Sequence, residues 1–178
     1  CIADPLREEV PDVLAVLRGL GIQKAVMLTG DSRRTAEAVA SHIGVDEFRA
    51  EVLPEDKANY VAALRAQGHT VIMVGDGIND SPALSEADVG IAISDGAAIA
   101  QEIADITIAA ESLWELVRLR QLAMALNSRI RNIYRFVLGF NGGLIALGVA
   151  GLLPPSTSAT LHNLSTLGIS IHSMTPLP

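Results

Sequence analysis

Val71-Ile72-Met73-Val74-Gly75-Asp76-Gly77-Ile78-Asn79-Asp80-Ser81-Pro82 is the stretch that decides the fold. Four apolar residues, three of them β-branched, break off into an acidic turn bracketed by glycines. A run of this kind reads as a buried strand of a parallel sheet. Open α/β sheets place ligands in the crevice beyond such strand ends. Asp76, Asn79 and Asp80 would stand together at that tip, a set of short oxygen donors suited to a hard cation and a phosphate.

Outward from the tip, the pattern alternates. Val10, Val13, Leu14, Leu17 and Leu20 mark one face of a helix over 8–20, stopped by Gly19 and Gly21. Ala25–Thr29 reads as a short strand closed by Gly30-Asp31, and a helix follows over about 32–43. Phe48–Val52 is a weaker strand, and Pro54 opens a third helix that ends near Gly68. Beyond Asp76 come a short helix over about 80–86, strands at 89–93 and 106–108, and an Ala-rich helix between those two. Strands alternating with helices indicate βαβ units and a parallel sheet, hence an α/β fold.

Two further features fall at or just beyond strand ends. The hydroxyl of Thr29 and the amides at Gly30 and Asp31 can hold phosphate oxygens where they open onto a helix start. Lys57, after Pro54-Glu55-Asp56, can neutralise a phosphoryl group. Taken singly, each has a plainer reading: a strand–helix junction capped by Asp31, and a solvated helix-surface lysine. The Gly-Asp-Gly-x-Asn-Asp run is far more specific. Together the three fit phosphoryl transfer, where positioning and charge stabilisation do most of the catalysis.

Composition divides the 178 residues. Hydrophobic residues make up 49% and charged ones 19%, yet from Ile133 onward Arg135 is the one charged side chain. A formal charge of −7 argues against a nucleic-acid partner. The single cysteine, Cys1, excludes a disulfide framework and a cysteine metal cluster within the chain. With no initiator Met and an opening on Cys-Ile-Ala-Asp, the sequence reads as cut from something longer. Residues 1–112 form the globular part. Residues 113–178 read as a helix leading into the bilayer followed by two transmembrane helices.

The first span, Phe136–Leu153, approaches the ~20 apolar residues needed to cross a bilayer. Arg118, Arg120, Arg129, Arg131 and Arg135 before it fit a cytoplasmic flank. Pro154-Pro155-Ser156 reads as a turn and Thr157–Thr175 as the second span, carrying His162-Asn163-Leu164-Ser165-Thr166 and His172. Polar groups at that depth pair or line a pathway. The hydroxyls of Ser165 and Thr166 read as bonds back into their own helix, and Asn163 as a link between helices. His162 reads as a transition-metal ligand. For His172 both readings stand.

The order Asp4-Pro5-Leu6-Arg7, Met27-Leu28-Thr29-Gly30-Asp31, Pro54-Glu55-Asp56-Lys57 and Val74–Leu84 resembles P-type ATPases, in particular the heavy-metal-transporting branch. The resemblance runs from residue 2 to about 141. It implies part of a haloacid-dehalogenase-like (Rossmannoid) phosphorylation domain, with ATP as substrate and Mg²⁺ as cofactor. It further implies Asp76 as the Mg²⁺ ligand supported by Asp80, and Asn79 on the phosphoryl group. Thr29 and Gly30 would bind that group during hydrolysis, Lys57 would stabilise its charge, and Asp31 and Arg7 would lie at the nucleotide-side rim. The family's Asp-Lys-Thr-Gly-Thr nucleophile motif is absent from these residues. The resemblance therefore implies the carboxyl-terminal part of a pump, inactive alone, its partners being the missing amino-terminal part and the lipid bilayer. It would be a multi-pass protein of the plasma membrane with 1–112 on the cytoplasmic side. A strand that should adjoin Val71–Val74 would also be missing.

In the membrane part, Phe140-Asn141 resembles the Tyr-Asn pair of the copper-type branch. His162-x-x-Ser165-Thr166 stands where that branch has Met-x-x-Ser-Ser. The implied transported-metal set is Asn141, His162, Asn163, Ser165 and Thr166. Imidazole and oxygen donors suit a divalent ion better than copper(I). Two other readings stay open: a membrane-tethered phosphatase of the haloacid dehalogenase type, and a non-catalytic regulatory fragment.

Overall fold

The computed structural model describes residues 7–76, 79–93, 102–108 and 112–176. The chain divides into two compact units, Cys1–Arg118 and Leu119–Pro178.

In the first unit the described elements follow in the order α1 (Val10–Gly19), β1 (Val26–Leu28), α2 (Arg33–Ile43), β2 (Glu47–Arg49), α3 (Pro54–Ala66), β3 (Ile72–Gly75), α4 (Ser81–Glu86), β4 (Val89–Ile93) and β5 (Ile106–Ile108). Every strand pair is parallel: β1 with β2, and β3-β4-β5 in that order. Most of the expected Ala-rich helix between the last two strands falls on residues 94–101, outside the described ones, and Glu102 and Ile103 are helical. Glycines end the helices where the spacing predicts. Beyond α3, Gly68 adopts φ +87° and its N–H donates to the Arg65 carbonyl, while the His69 N–H reaches Leu64. This paired ending satisfies carbonyls the helix leaves over, and it needs a residue without Cβ strain.

Three expectations shift. The N-cap of α2 is Ser32, whose Oγ accepts from the Thr35 N–H, and not Asp31. Strand β2 ends at Arg49 rather than running on to Val52, because Glu51 turns the chain through a positive φ of 57°. The third concerns burial. β3 is an edge strand among the described residues, pairing with β4 alone, and Ile72 and Val74 are 40% and 37% exposed. Its apolar run is thus not enclosed on both sides. The packed centre lies on the other side of the sheet, where Leu84, Ala83 and Ala92 are fully buried and α3 contributes Val61. Gly90 is obligatory there, since a Cβ would sit 2.6 Å from the Leu84 carbonyl oxygen.

Asp88 fastens β3 to this centre. Its Oδ2 accepts from the Val71 N–H at 2.8 Å, and its Oδ1 from the Arg65 guanidinium at 3.0 Å. The backbone bond, and then Arg65, hold its carboxyl below the usual value of 3.8. A carboxylate depressed in the folded state adds stability above its unfolded value and loses it as pH falls through the folded one. Asp88→Asn is therefore expected to lower the melting temperature at neutral pH. The difference from the parent should shrink once pH drops below 3.8. Thermal unfolding at a series of pH values checks this.

The second unit holds most of α5 (Trp114–Val149) and all of α6 (Pro155–Ser173). Among the described residues α5 is the one helix long and apolar enough to cross a membrane. The 19 residues of α6 are long enough, but their Ser, Thr, Asn and His content leaves them less apolar than a typical span. The first apolar helix ends at Val149, earlier than the expected Leu153. Gly151 takes φ +72°, its N–H reaches Gly148, and the Leu152 N–H reaches Leu147. From Phe136 to that end is about 21 Å of helix, so a ~30 Å crossing must begin before Phe136. Pro155, expected in the turn, is instead the first residue of α6, where its missing N–H costs nothing.

Candidate functional site

Parallel pairing puts the carboxyl ends of β1 and β3 in use, and Thr29 and Asp76 each follow directly after a strand. Beyond β1 the Thr29 hydroxyl donates to Asp31 Oδ2 at 2.9 Å and accepts from the Asp31 N–H at 3.1 Å. The Thr29 N–H donates to the Arg49 carbonyl, the Val52 N–H to Thr29, and the Glu51 N–H to Asp31. The loop that holds Thr29, Gly30 and Asp31 is stitched to the segment after β2. Gly30 and Asp31 are exposed and Thr29 is half-buried.

Beyond β3, Asp76 accepts from the Asn79 N–H at Oδ1 (3.2 Å) and from the Asn79 amide at Oδ2 (3.4 Å). Asn79, the residue expected on the phosphoryl group, thus stands hydrogen-bonded to Asp76. Gly77 and Ile78 lie outside the described residues. Asp80 is the N-cap residue of α4, and its Oδ1 meets Lys57 Nζ at 2.6 Å. Both side chains of this pair are largely withdrawn from water, at 13% and 14% exposure. Lys57 comes from the first turn of α3, which packs against α4. The plain reading of Lys57 as a solvated lysine is therefore corrected: it is engaged with the acidic turn. Gly75 makes this possible, because a Cβ there would lie 2.5 Å from Asp80 Oδ2.

The donors fit a hard divalent cation in part. Asp76 and Asp80 give carboxylate oxygens, and Mg²⁺ takes one or two of these with water and phosphate completing its shell. Among the described residues no three His, Cys, Asp or Glu side chains gather into a complete metal site. Arg7 is exposed just before α1, its carbonyl accepting from Val10.

The sequence reading misses Glu9. Its carboxylate accepts from the Leu113 N–H at 2.6 Å and the Ser112 hydroxyl at 3.0 Å, capping the approach to α5. No local pattern announces a bond between residues more than a hundred positions apart. In the second unit, His162 Nδ1 lies 2.9 Å from Asn141 Oδ1. Ser165 and Thr166 both donate to the His162 carbonyl, at 2.8 and 3.0 Å. Asn163 is exposed beside them.

A haloacid dehalogenase-like hydrolase family matches residues 1–88, which defines the class of the first unit. The chain is 42% identical over 173 residues to a manganese-exporting P-type ATPase of Mycobacterium leprae (strain TN). It is equally identical to a zinc-exporting P-type ATPase of Mycobacterium marinum (strain ATCC BAA-535 / M). Each match covers 97% of this chain and 24% of the relative. A crystal structure of a zinc-transporting PIB-type ATPase in the E2.Pi state superposes with a TM-score of 0.86 at 36% identity, covering 94% of this chain and 27% of that one. The chain belongs to the heavy-metal P-type ATPases, and it spans about a quarter of the length of the curated relatives it matches.

Proposed function

We propose that this chain is the carboxyl-terminal part of an ATP-driven transition-metal pump that works through an aspartyl-phosphate. Residues 1–112 supply half of its phosphorylation domain and 113–178 its last two membrane helices. The observation that carries the reading is the edge position of β3. The strand ending in Asp76 has one side unpaired among the described residues, with Asp76, Asn79, Asp80 and Lys57 gathered at and beside its tip. A further strand from the remainder of the pump would pair there and bring the nucleophilic aspartate beside Asp76. Asp76 would then hold Mg²⁺, with Asp80 in support. Lys57, Thr29 and Gly30 would receive the phosphoryl group, Asn79 would turn toward it, and Asp31 and Arg7 would face the nucleotide side. Without that strand the fragment does not turn over ATP.

In this reading α5 and α6 both cross the plasma membrane, and the arginines of α5 keep residues 1–112 cytoplasmic. Relatives named for manganese and zinc stand at 42% identity and one named as a probable copper exporter at 39%. The imidazole and oxygen donors of His162, with Ser165 and Thr166 nearby, favour a divalent transition ion as cargo. The test is phosphoenzyme formation from ATP in the full-length pump. Asp76→Asn should reduce Mg²⁺-dependent labelling at least a hundredfold while leaving expression intact. Labelling that persists at parental level would overturn the assignment. Labelling that never responds to added Zn²⁺ or Mn²⁺ would favour a phosphatase instead.

A further inference from the structure

The α5–α6 hairpin lines two open cavities within the second unit. One, of about 670 Å³, is bordered by Arg129, Phe136, Ser165 and His172. The other, of about 960 Å³, is bordered by Asn141, Leu144, Ser158 and His162. The hydrogen bond between Asn141 and His162 lies at the inner end of the second cavity's lining, a turn or so along each helix from Phe136 and Ser165 of the first.

We propose that Asn141 is a positioning residue that fixes the tautomer of His162, so that Nε2 is the nitrogen the imidazole offers to a divalent cation. This rests on the reading of His162 as a cargo ligand given above. A side-chain amide oxygen carries only lone pairs, so the nitrogen facing it at 2.9 Å must bring the proton. In the neutral ring Nδ1 is therefore the N–H, and Nε2 keeps its lone pair. In water a neutral imidazole is free to exchange tautomers; here one partner decides. Asn141 Oδ1 thus acts first on the ring, with one of its two lone pairs engaged by Nδ1–H. Such an outer partner orients the imidazole and raises its basicity toward a metal.

The surroundings hold the same arrangement. The Ser165 and Thr166 hydroxyl protons are spent on the His162 carbonyl, which leaves their oxygens only lone pairs to present. Neither hydroxyl therefore has a proton left to compete for Nε2. His162 is exposed along α6, so Nε2 is reachable. Three residues after Asn141, Leu144 is buried and backs α5 at this level.

Nitrogen-15 spectra of the full-length pump, labelled at histidine and held in lipid nanodiscs, test the proposal. His162→Ala identifies the His162 signals, and Zn²⁺ is the probe. Without metal, Nδ1 should be protonated and Nε2 not; Zn²⁺ should then shift Nε2. Asn141→Leu should release the tautomer preference and weaken Zn²⁺ binding about 10–100-fold. Asn141→Asp, which keeps an accepting oxygen, should restore both. A packing role alone would leave the tautomer unmoved in Asn141→Leu. A protonated Nε2 in the metal-free parent, or a Zn²⁺ shift on Nδ1, overturns the proposal. A correct tautomer with neither nitrogen shifted by Zn²⁺ overturns instead the cargo reading beneath it, and the two failures are told apart because the tautomer is read before metal is added.

Discussion

Gly75→Ala is expected to remove Mg²⁺-dependent phosphoenzyme formation from the full-length pump, by two orders of magnitude or more, although Gly75 bears no reactive group. The new methyl carbon would stand 2.5 Å from Asp80 Oδ2, 2.7 Å from its Cβ and 3.0 Å from its Cγ. Cβ contacts closer than 3.0 Å are essentially never seen, so Asp80 or β3 must move. Asp80 is the softer of the two, yet it is anchored on its other oxygen by Lys57 at 2.6 Å. Its displacement stretches that bond and tilts the start of α4, whose Leu84 N–H donates to the Asp80 carbonyl. Overpacking of this sort costs about 1–3 kcal/mol in stability. The larger effect is functional, since a 1 Å misplacement of a catalytic group can cost about a hundredfold. Gly139→Ala in α5 is the control, because nothing lies within 4 Å of a Cβ there. Parental labelling by Gly75→Ala would mean that Asp80 is not held where phosphoryl chemistry needs it.

Much of this site was legible in the sequence because its parts are local. The acidic turn, the glycine after the strand and the proline opening α3 act within a few residues of themselves. What escaped was non-local. The apolar run Val71–Val74 looks the same whether one edge of its strand is paired or two, and only the resemblance, through its missing neighbouring strand, anticipates the open edge of β3. Glu51 carries no sign of its left-handed backbone, and β2 was placed too late as a result. The resemblance named both Asn141 and His162, but their spacing of 21 residues follows no helical period, and the bond joining them appears only when α5 and α6 fold back on each other. The end of α5 failed for a different reason: Gly151 was one glycine among several in an apolar stretch, and only its φ marks it as the stop.

Lys57→Met is expected to destabilise the protein more than the paired replacement Lys57→Met with Asp80→Leu. The ion pair sits at 13% and 14% side-chain exposure, between α3 and α4. Removing the cation leaves the Asp80 carboxylate largely withdrawn from water, one short turn from Asp76, with its 2.6 Å partner gone. Breaking a fully buried pair in this way costs about 3–5 kcal/mol; the residual exposure here brings the expectation to about 2–3 kcal/mol. Replacing both charges with apolar side chains of similar volume removes the stranded carboxylate, and such exchanges are often neutral or stabilising. The double variant should therefore recover most of the lost stability, with a coupling energy of about 1–2 kcal/mol in a double-mutant cycle. Its phosphoenzyme should nonetheless be absent, because Lys57 would no longer meet the phosphoryl charge and Asp80 would no longer support the cation. Thermal unfolding and ATP labelling of the same four full-length proteins measure both quantities. A double variant no more stable than Lys57→Met would show that the pair is held for packing rather than charge. One that recovers stability without labelling would show that the pair is kept for the chemistry it serves at the end of β3, and not for the fold.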